Sequence, residues 1–305
     1  MKWQKKGLIY CPHGEHGYDK HSFTTPSAHY IHDGEIRVYG GVKDEQGRSR
    51  ITYIDVDAEN PSRVLRVSEK PLLDLGNDGC FDDNGVILGD VLKVDDAYYM
   101  YYVGFQHVQK VKFFAFTGLA ISKDNGETFQ RYSEAPVMDR TDKARYIRAI
   151  HTVLYDEGKF KVWYAIGNRW QYIDGKPYPA YNIWYTESID GIHFNSEDTI
   201  LCVDNAENEY RIGRPKVYKN NNKYCMLYTR DFIPKDYVAG YAESTDGIHW
   251  DRKDMELGLE KSANGWDSEM ACYPVLLDYG EKTYMFYNGN GQGKTGFGYA
   301  ELISE

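Results

Sequence analysis

The sequence lacks the long apolar runs of membrane proteins and secreted precursors. No run approaches the ~20 residues that a membrane-spanning helix needs, and the opening residues, MKWQKKGLIYC, have no apolar core of the kind found in signal peptides. The five cysteines, at positions 11, 80, 202, 225 and 272, are odd in number and scattered, which argues against a disulfide framework. We therefore expect reduced thiols, a cytoplasmic location and no membrane partner.

Basic residues are fewer than acidic residues, and the sequence has no metal-ligand motif. The formal net charge is −10, from 36 Lys and Arg against 46 Asp and Glu, which argues against nucleic acid as a partner. No Cys or Cys/His spacing suggests zinc, and the histidines and carboxylates from His13 to His21 match no metal-ligand motif. We expect the side chains of residues 13–21 to form hydrogen bonds, and the alternative is that they bind a divalent metal. We predict no metal and no cofactor.

Long helical periodicity is absent as well, and a repeated thirteen-residue interval takes its place. Each interval leads from an anchor residue in one apolar run, through a polar turn, to a tyrosine in a second apolar run. The five copies are Pro26 to Tyr39, Gly89 to Tyr102, His151 to Tyr164, Pro215 to Tyr228 and Pro274 to Tyr287. Each copy predicts a β-hairpin, and five copies at roughly 60-residue spacing predict a repeat architecture.

A second pattern, a Ser-x-Asp turn with glycine that closes on an aromatic residue, follows three of the hairpins. We expect its carboxylates, Asp124, Asp190 and Asp246, to hold backbone amides of the turn. The last repeat is one strand short, and residues 6–11 form an apolar stretch that would complete it. We predict an all-β, five-bladed β-propeller with four-stranded antiparallel blades, in which the N-terminal strand closes the last blade and residues 1–305 form one domain.

Propeller geometry brings the residues just before each first strand and just after each second strand to one mouth of the central channel. Charged and aromatic side chains recur there in register, which predicts a polar pocket on a rigid scaffold. The alternative is that loop ends are polar because they are solvated. Asp267 matches Asp82 of blade two, so capping the same turn is its alternative role. The candidate substrate-binding residues are Arg148, His151, Arg211, Arg214, Asp267, Trp170 and Asn288.

Five carboxylates at these positions are candidates for catalysis. Glu269 is the only carboxylate that lies five residues before an anchor, and we expect either Glu269 or Glu209 to be a general acid with a raised pKa. The base or nucleophile would be one of the remaining three, Asp83, Asp19 or Asp90. The arginines predict an anionic group on the substrate, unless each pairs with a carboxylate between blades. Trp170 would stack on a sugar ring.

The strand sequence YMYYVG, the Asp-Gly turns and the acid-rich channel mouth resemble the five-bladed propeller glycosidases of families 43, 32 and 130. The resemblance runs from Gly7 to Glu301, and the chain looks closest to uncharacterised glycosidase-like proteins encoded among bacterial surface-polysaccharide genes. In family 43 an aspartate precedes the first-blade proline, where this chain has Thr25. Asp90 matches the second-blade aspartate, and Gly213 stands in the place of the acid.

The resemblance implies a carbohydrate-active enzyme, a glycoside hydrolase or phosphorylase. Hydrolysis would need two carboxylates that flank one glycosidic bond, whereas a phosphorylase needs one acid and a cationic phosphate pocket. The substrate would be a small molecule or an oligosaccharide. It would be either a sugar, for which the arginines favour an anionic group, or a surface-polysaccharide intermediate. Two alternatives stay open: a non-catalytic carbohydrate-binding propeller, and another enzyme that acts on a sugar nucleotide.

Overall fold

The structure is a computed structural model that describes residues 1–32, 34–195, 197–233 and 236–304. In this part of the chain the regular structure is almost entirely strand, with helical turns only at Asp254–Glu256 and Asn290–Gly293. The prediction of an all-β chain is therefore confirmed. No helix among the described residues has both the length and the apolar character to cross a membrane.

The strands form antiparallel groups of four, which we call units one to five in chain order. The chain begins with β1 (Lys2–Tyr10), which belongs to unit five. Unit one contains β2 (His21–His32), β3 (Glu35–Lys43), β4 (Ser49–Asp57) and β5 (Val64–Val67). Unit two contains β6 (Val86–Val94), β7 (Ala97–His107), β8 (Phe113–Ser122) and β9 (Gln130–Arg131).

The later units repeat this arrangement. Unit three contains β10 (Ile147–Asp156), β11 (Lys159–Ile173), β12 (Lys176–Ser188) and β13 (Ile200–Val203). Unit four contains β14 (Glu209–Asn220), β15 (Lys223–Phe232), β16 (Tyr237–Ser244) and β17 (Asp251–Arg252). Unit five contains β18 (Cys272–Tyr279), β19 (Lys282–Asn288) and β20 (Phe297–Ser304), with β1 paired antiparallel to β20.

The first strands of consecutive units lie against one another. β2 contacts β6, β6 contacts β10, β10 contacts β14, β14 contacts β18, and β18 contacts β2. Hydrogen bonds cross the boundaries between units. For example, Ile150 N donates to Thr117 Oγ1 at 2.9 Å, Tyr273 N to Thr229 Oγ1 at 3.0 Å, and Thr25 N to Asn288 Oδ1 at 2.7 Å. A short parallel bridge between β8 and β10 also joins units two and three into one sheet.

The tyrosines that end the thirteen-residue intervals lie in the core. Tyr39 is 1% exposed and the other four are 0% exposed. A buried hydroxyl needs a partner, and carboxylates accept from three of these tyrosines: Tyr102 donates to Asp82 at 3.1 Å, Tyr287 to Asp267 at 2.9 Å, and Tyr228 to Asp254. Two of these aspartates also form a salt bridge with a basic side chain, Asp82 with Arg131 at 2.8 Å and Asp267 with Lys5 at 2.6 Å.

The Ser-x-Asp turns behave as the sequence predicts. Asp190 Oδ1 accepts from the backbone amides of Ile192 and His193 at 2.9 Å each, and Asp246 Oδ1 accepts in the same way from Ile248 and His249 at 2.8 Å each. Asp124 Oδ1 accepts from the Thr128 amide at 2.9 Å. These carboxylates therefore hold the turns that follow the third strands of units two, three and four.

Asp267 ties β1 to unit five, and replacing it by alanine tests that role. Asp267→Ala leaves the buried hydroxyl of Tyr287 without its acceptor and the ammonium of Lys5 without its counter-ion, so we expect the free energy of unfolding to fall by about 2 kcal/mol. Urea denaturation followed by circular dichroism measures this. The exposed carboxylate of Asp251 offers a control, since Asp251→Ala should stay within about 0.5 kcal/mol. Equal stability of the two variants would contradict the assignment.

Candidate functional site

Each first strand carries one extra residue at the same place in its hairpin. The register shifts fall between Thr24 and Ser27 in β2, Leu88 and Asp90 in β6, Ile150 and Thr152 in β10, Gly213 and Lys216 in β14, and Cys272 and Val275 in β18. These β-bulges coincide with the anchors of the thirteen-residue interval. A bulge bends the strand and redirects a side chain, so the repeat marks five places where side chains leave the normal alternation.

Three of the bulges place a non-glycine residue in the left-handed region directly before a proline. The φ angles are 56° at Thr25, 56° at Arg214 and 53° at Tyr273. This conformation is uncommon for such residues, and it is least expected for a β-branched threonine. Strained positions of this kind concentrate at binding and active sites, and all three side chains line the cavity described next.

A cavity of about 400 Å³ opens at these bulges and is lined by residues from all five units. Its charged side chains are those of Lys43, Lys112, Arg211 and Arg214, and His107 and His151 also reach it. Its aromatic side chains are those of Phe105, Phe113, Tyr178, Tyr181, Tyr237 and Tyr273. None of the described lining residues is an aspartate or a glutamate. In a chain of net charge −10, the cavity is thus a local region of positive charge.

Arg214 is held in place by neighbouring units. Its Nη1 donates to the carbonyl oxygen of Leu88 at 2.9 Å and to Nδ1 of His151 at 3.0 Å. Burial and the nearby guanidinium keep the pKa of His151 well below its usual value, so the ring is neutral and Nδ1 accepts. The Arg214 guanidinium also lies 5.4 Å from the centroid of the Tyr273 ring. These contacts fix the guanidinium at the cavity wall.

Arg211 lies beside it with a buried counter-ion. Its Nε and Nη2 donate to Oδ2 of Asp231 at 3.0 and 2.6 Å. The guanidinium lies 5.1 Å from the ring centroid of Tyr237, and the Tyr237 hydroxyl donates to that of Tyr273 at 3.0 Å. Burial raises the pKa of both tyrosines, so both keep their protons and Tyr273 is left with a proton to donate into the cavity.

The five carboxylates predicted to be catalytic lie outside the cavity lining. The Glu209 side chain is 0% exposed and accepts from Arg252 through both oxygens, at 2.7 and 2.9 Å. Burial raises the pKa of Glu209, but the hydrogen bonds from Arg252 and from the Ala206 amide outweigh it and leave the pKa below its usual value. This direction is opposite to the raised pKa that we predicted for a general acid at Glu209.

The other four carboxylates have separate surroundings. Glu269 is exposed, and Asp83 accepts from the Gly79 amide at 3.0 Å within a turn. Asp19 binds the amide and Nδ1 of His16, both at 2.9 Å. Asp90 accepts from the Val153 amide at 2.9 Å and pairs with Lys216 between the first strands. No two of them are brought together at the cavity.

Among the predicted substrate-binding residues, His151, Arg211 and Arg214 line the cavity, and the others do not. Asn288 is fully buried and bonds to other parts of the protein, namely Thr25, Phe23 and Gly296. Asp267 holds Lys5 and Tyr287, as described above. Arg148 is 4% exposed and donates to the Asp139 carbonyl at 3.3 Å. Trp170 packs edge-on against Phe113, a lining residue, with ring centroids 5.7 Å apart.

Tyr237, Tyr273 and Lys112 line the cavity but were not among the residues predicted from the sequence. A signal for Tyr273 was present, because Thr25, Arg214 and Tyr273 all directly precede an anchor proline. Tyr237 begins the third strand of unit four and Lys112 lies in a loop, and neither position belongs to the interval. The place of Gly213 is closed by another unit, because a Cβ there would lie 2.6 Å from Cε2 of Tyr181.

The described residues contain no cluster of three or more His, Cys, Asp or Glu side chains that could hold a metal ion. The five cysteines are free thiols. The ionisable side chains among the described lining residues are four cations, four tyrosines and two histidines.

Comparison with known proteins gives a full-length relative. The chain is 30% identical over 302 residues to the "Uncharacterized protein Rv1502" of Mycobacterium tuberculosis, and the match covers 99% of each chain. The chain belongs to the Rv1502 family. No family model matches it.

The structure of this Rv1502-family member matches the fold of solved glycoside hydrolases, one of them of family 43. It matches a solved "Glycoside hydrolase" with a TM-score of 0.74 at 18% identity, over 98% of this chain and 90% of that one. It matches a thermostable family-43 glycoside hydrolase with a TM-score of 0.69 at 17% identity, over 93% and 90%. The resemblance to propeller glycosidases is confirmed at the level of the fold.

A histidine between the first strands leads to a pH prediction. His29 Nε2 lies 3.0 Å from Ser27 Oγ, and burial, together with Lys216, lowers its pKa to about 4. The unfolded chain binds this proton near pH 6.5 and the folded chain does not, so stability falls as the pH drops from 6.5 towards 4. We expect His29→Gln to remove about 2 kcal/mol of the loss between pH 7 and pH 5.

Urea denaturation at the two pH values measures the difference. The exposed His13 provides the control, because His13→Gln should keep the wild-type pH dependence. An unchanged pH dependence in His29→Gln would show that His29 takes up its proton in the folded protein as readily as in the unfolded one.

Proposed function

We propose that this member of the Rv1502 family is a carbohydrate-active protein that binds an anionic saccharide in the cavity. The observation that carries the proposal is the lining itself, with four cationic side chains and no carboxylate among its described residues. Guanidinium groups bind carboxylate and phosphate through paired hydrogen bonds, and aromatic side chains cover the apolar faces of ligands. A volume of about 400 Å³ is in the range of small-molecule sites.

The proposal includes a five-bladed propeller as the scaffold. Its support is the chain of contacts from β2 through β6, β10, β14 and β18 back to β2, and the hydrogen bond from Thr25 in unit one to Asn288 in unit five. In such a ring the five bulges surround one channel mouth, which accounts for a cavity lined by every unit. We also propose one domain, and a reducing compartment such as the cytoplasm, which the five free thiols support.

Hydrolysis by two carboxylates lacks support in this cavity. A glycosidase of that kind needs its two carboxyl groups about 5–10 Å apart across the scissile bond, and no carboxylate of the described chain lines the cavity. The sites that resemble the family 43 aspartate and acid hold Thr25 and Gly213. The structure therefore favours a reaction whose nucleophile is not supplied by the protein, or binding alone.

Phosphate-dependent cleavage is the second candidate, and the Tyr237–Tyr273 hydrogen bond favours it. Hydrogen phosphate would be held by the arginines and attack the anomeric carbon, so that a carbon–oxygen bond to phosphate forms as the glycosidic bond breaks. Tyr273 would donate its proton to the departing oxygen and regain one from the phosphate. The products are a glycosyl phosphate and a free hydroxyl, and no further reactant is needed.

Replacing Arg214 tests the binding proposal. We expect Arg214→Met to weaken binding of uronic acids and sugar phosphates by about tenfold or more, because a charge-assisted hydrogen bond contributes about 1.5–3 kcal/mol, while the neutral sugars bind as before. Titration calorimetry with matched acidic and neutral sugars measures this. Arg63, which is 65% exposed and pairs with Asp57, is the control position for an Arg→Met change.

Arg214 also binds His151 and Leu88, so thermal unfolding of the variant should be recorded, and Arg214→Lys keeps the charge if the methionine variant does not fold. An affinity for acidic sugars that is unchanged in both variants would contradict the proposal.

Replacing Tyr273 separates cleavage from binding. Tyr273→Phe removes only the hydroxyl, so we expect phosphate-dependent release of sugar to fall at least about hundredfold, the usual contribution of a general acid, with little change in affinity. The assay is phosphate consumption with an acidic disaccharide, and Tyr155→Phe on the exposed surface is the control. Cleavage at the wild-type rate would eliminate Tyr273 as the proton donor.

A further inference from the structure

Two lysines at the cavity have no counter-ion among the described residues. Lys43 ends β3 and Lys112 lies in the loop before β8, and both line the cavity. No hydrogen bond or ion pair to a described residue engages either ammonium. The nearest acidic group in sequence, Asp44, is occupied by Arg48 at 2.9 Å and Arg50 at 2.8 Å.

The two lysines are close enough to affect each other. Burial, together with the charge of Lys112, lowers the pKa of Lys43. An anion between them would relieve both the desolvation and the repulsion, and the net charge of −10 for the whole chain makes this pair of neighbouring cations unusual. His107 also lines the cavity.

In the proposed ring the strands next to this pair stand opposite the strand that carries the arginines, although the Arg214 guanidinium itself reaches inward to Leu88 of unit two. Lys43 belongs to unit one and Lys112 precedes the third strand of unit two, whereas Arg211 and Arg214 belong to unit four. In a ring of five, the unit that faces the boundary between the first and the second is the fourth.

The cavity lining also has an apolar part. The side chains of Val103, Ala115, Ile147, Ala149 and Ala165 form an apolar cluster, and each of them lines the cavity as well.

From this arrangement we infer that the cavity takes a saccharide with two anionic groups, one at Arg211 and Arg214 and the other at Lys43 and Lys112. The inference rests on the proposed function and specifies its substrate class. Guanidinium forks suit a planar carboxylate, and lysines bind phosphate as point charges. The ligand class is therefore an acidic sugar that carries a phosphate ester, with the sugar ring over the apolar cluster.

Three probes test the inference by titration calorimetry: glucuronic acid, glucose 1-phosphate, and glucuronic acid 1-phosphate. For the wild type we expect the probe with both anions to bind at least about tenfold more tightly than either single anion. In Lys43→Met/Lys112→Met this advantage should disappear, while the affinity for glucuronic acid changes less than about twofold. Lys110→Met, in the same loop but outside the lining, is the matched control and should behave as the wild type.

The variants are chosen so that folding does not decide the outcome. Lys112 is exposed, so Lys112→Met alone should fold and lose most of the advantage, and Lys112→Arg should restore it. The inference is overturned if Lys112→Met still binds the probe with both anions more tightly than the single anions by the wild-type factor. It is also overturned if Lys110→Met reduces that factor as much as Lys112→Met does. A wild type that binds the single anions and gains nothing from the second overturns the inference and leaves the proposed function intact. A wild type that binds no anionic sugar overturns both.

Discussion

The bulge in each first strand is the constraint on which the rest of the site depends. One extra residue per strand interrupts the alternation of side chains at the same height in all five units, and at Thr25, Arg214 and Tyr273 it does so with a left-handed residue before a proline. That backbone is costly, about 1–3 kcal/mol for each such residue. Hydrogen bonds between units, such as Thr25 N to Asn288, stabilise it. The strain turns polar side chains towards the cavity.

Charge is divided between the scaffold and the cavity in a consistent way. Carboxylates such as Asp82, Asp267 and Glu209 lie in the scaffold, where each is matched by an arginine or a lysine. The cavity keeps cations that the described carboxylates match only in part. Hydrogen bonds from Arg252 and the Ala206 amide lower the pKa of Glu209, and a carboxylate stabilised in its charged form is a poor proton donor, so the pairing that fixes Glu209 makes it unsuitable as a catalytic acid.

Much of the fold could be predicted from the sequence, and less of the site. The interval from Pro26 to Tyr39 and its four copies predicted hairpins, because apolar periodicity and turn residues are local signals. The same register placed Arg211 and Arg214 near the cavity. It also placed Glu209 there, because position in a repeat does not reveal that Arg252, on another strand, occupies the carboxylate. The register covers only the first two strands of each unit, so it could not predict the cavity side chains that come from third strands and loops.

The central claim is that the cavity selects anions, and the most direct measurement is anomalous diffraction from crystals soaked in tungstate, a phosphate analogue with strong anomalous scattering. The account predicts one peak at Arg211 and Arg214 and a second at Lys43 and Lys112, with none at Glu209 or Glu269. A cavity without anomalous density at a concentration that labels other surface cations would contradict the account.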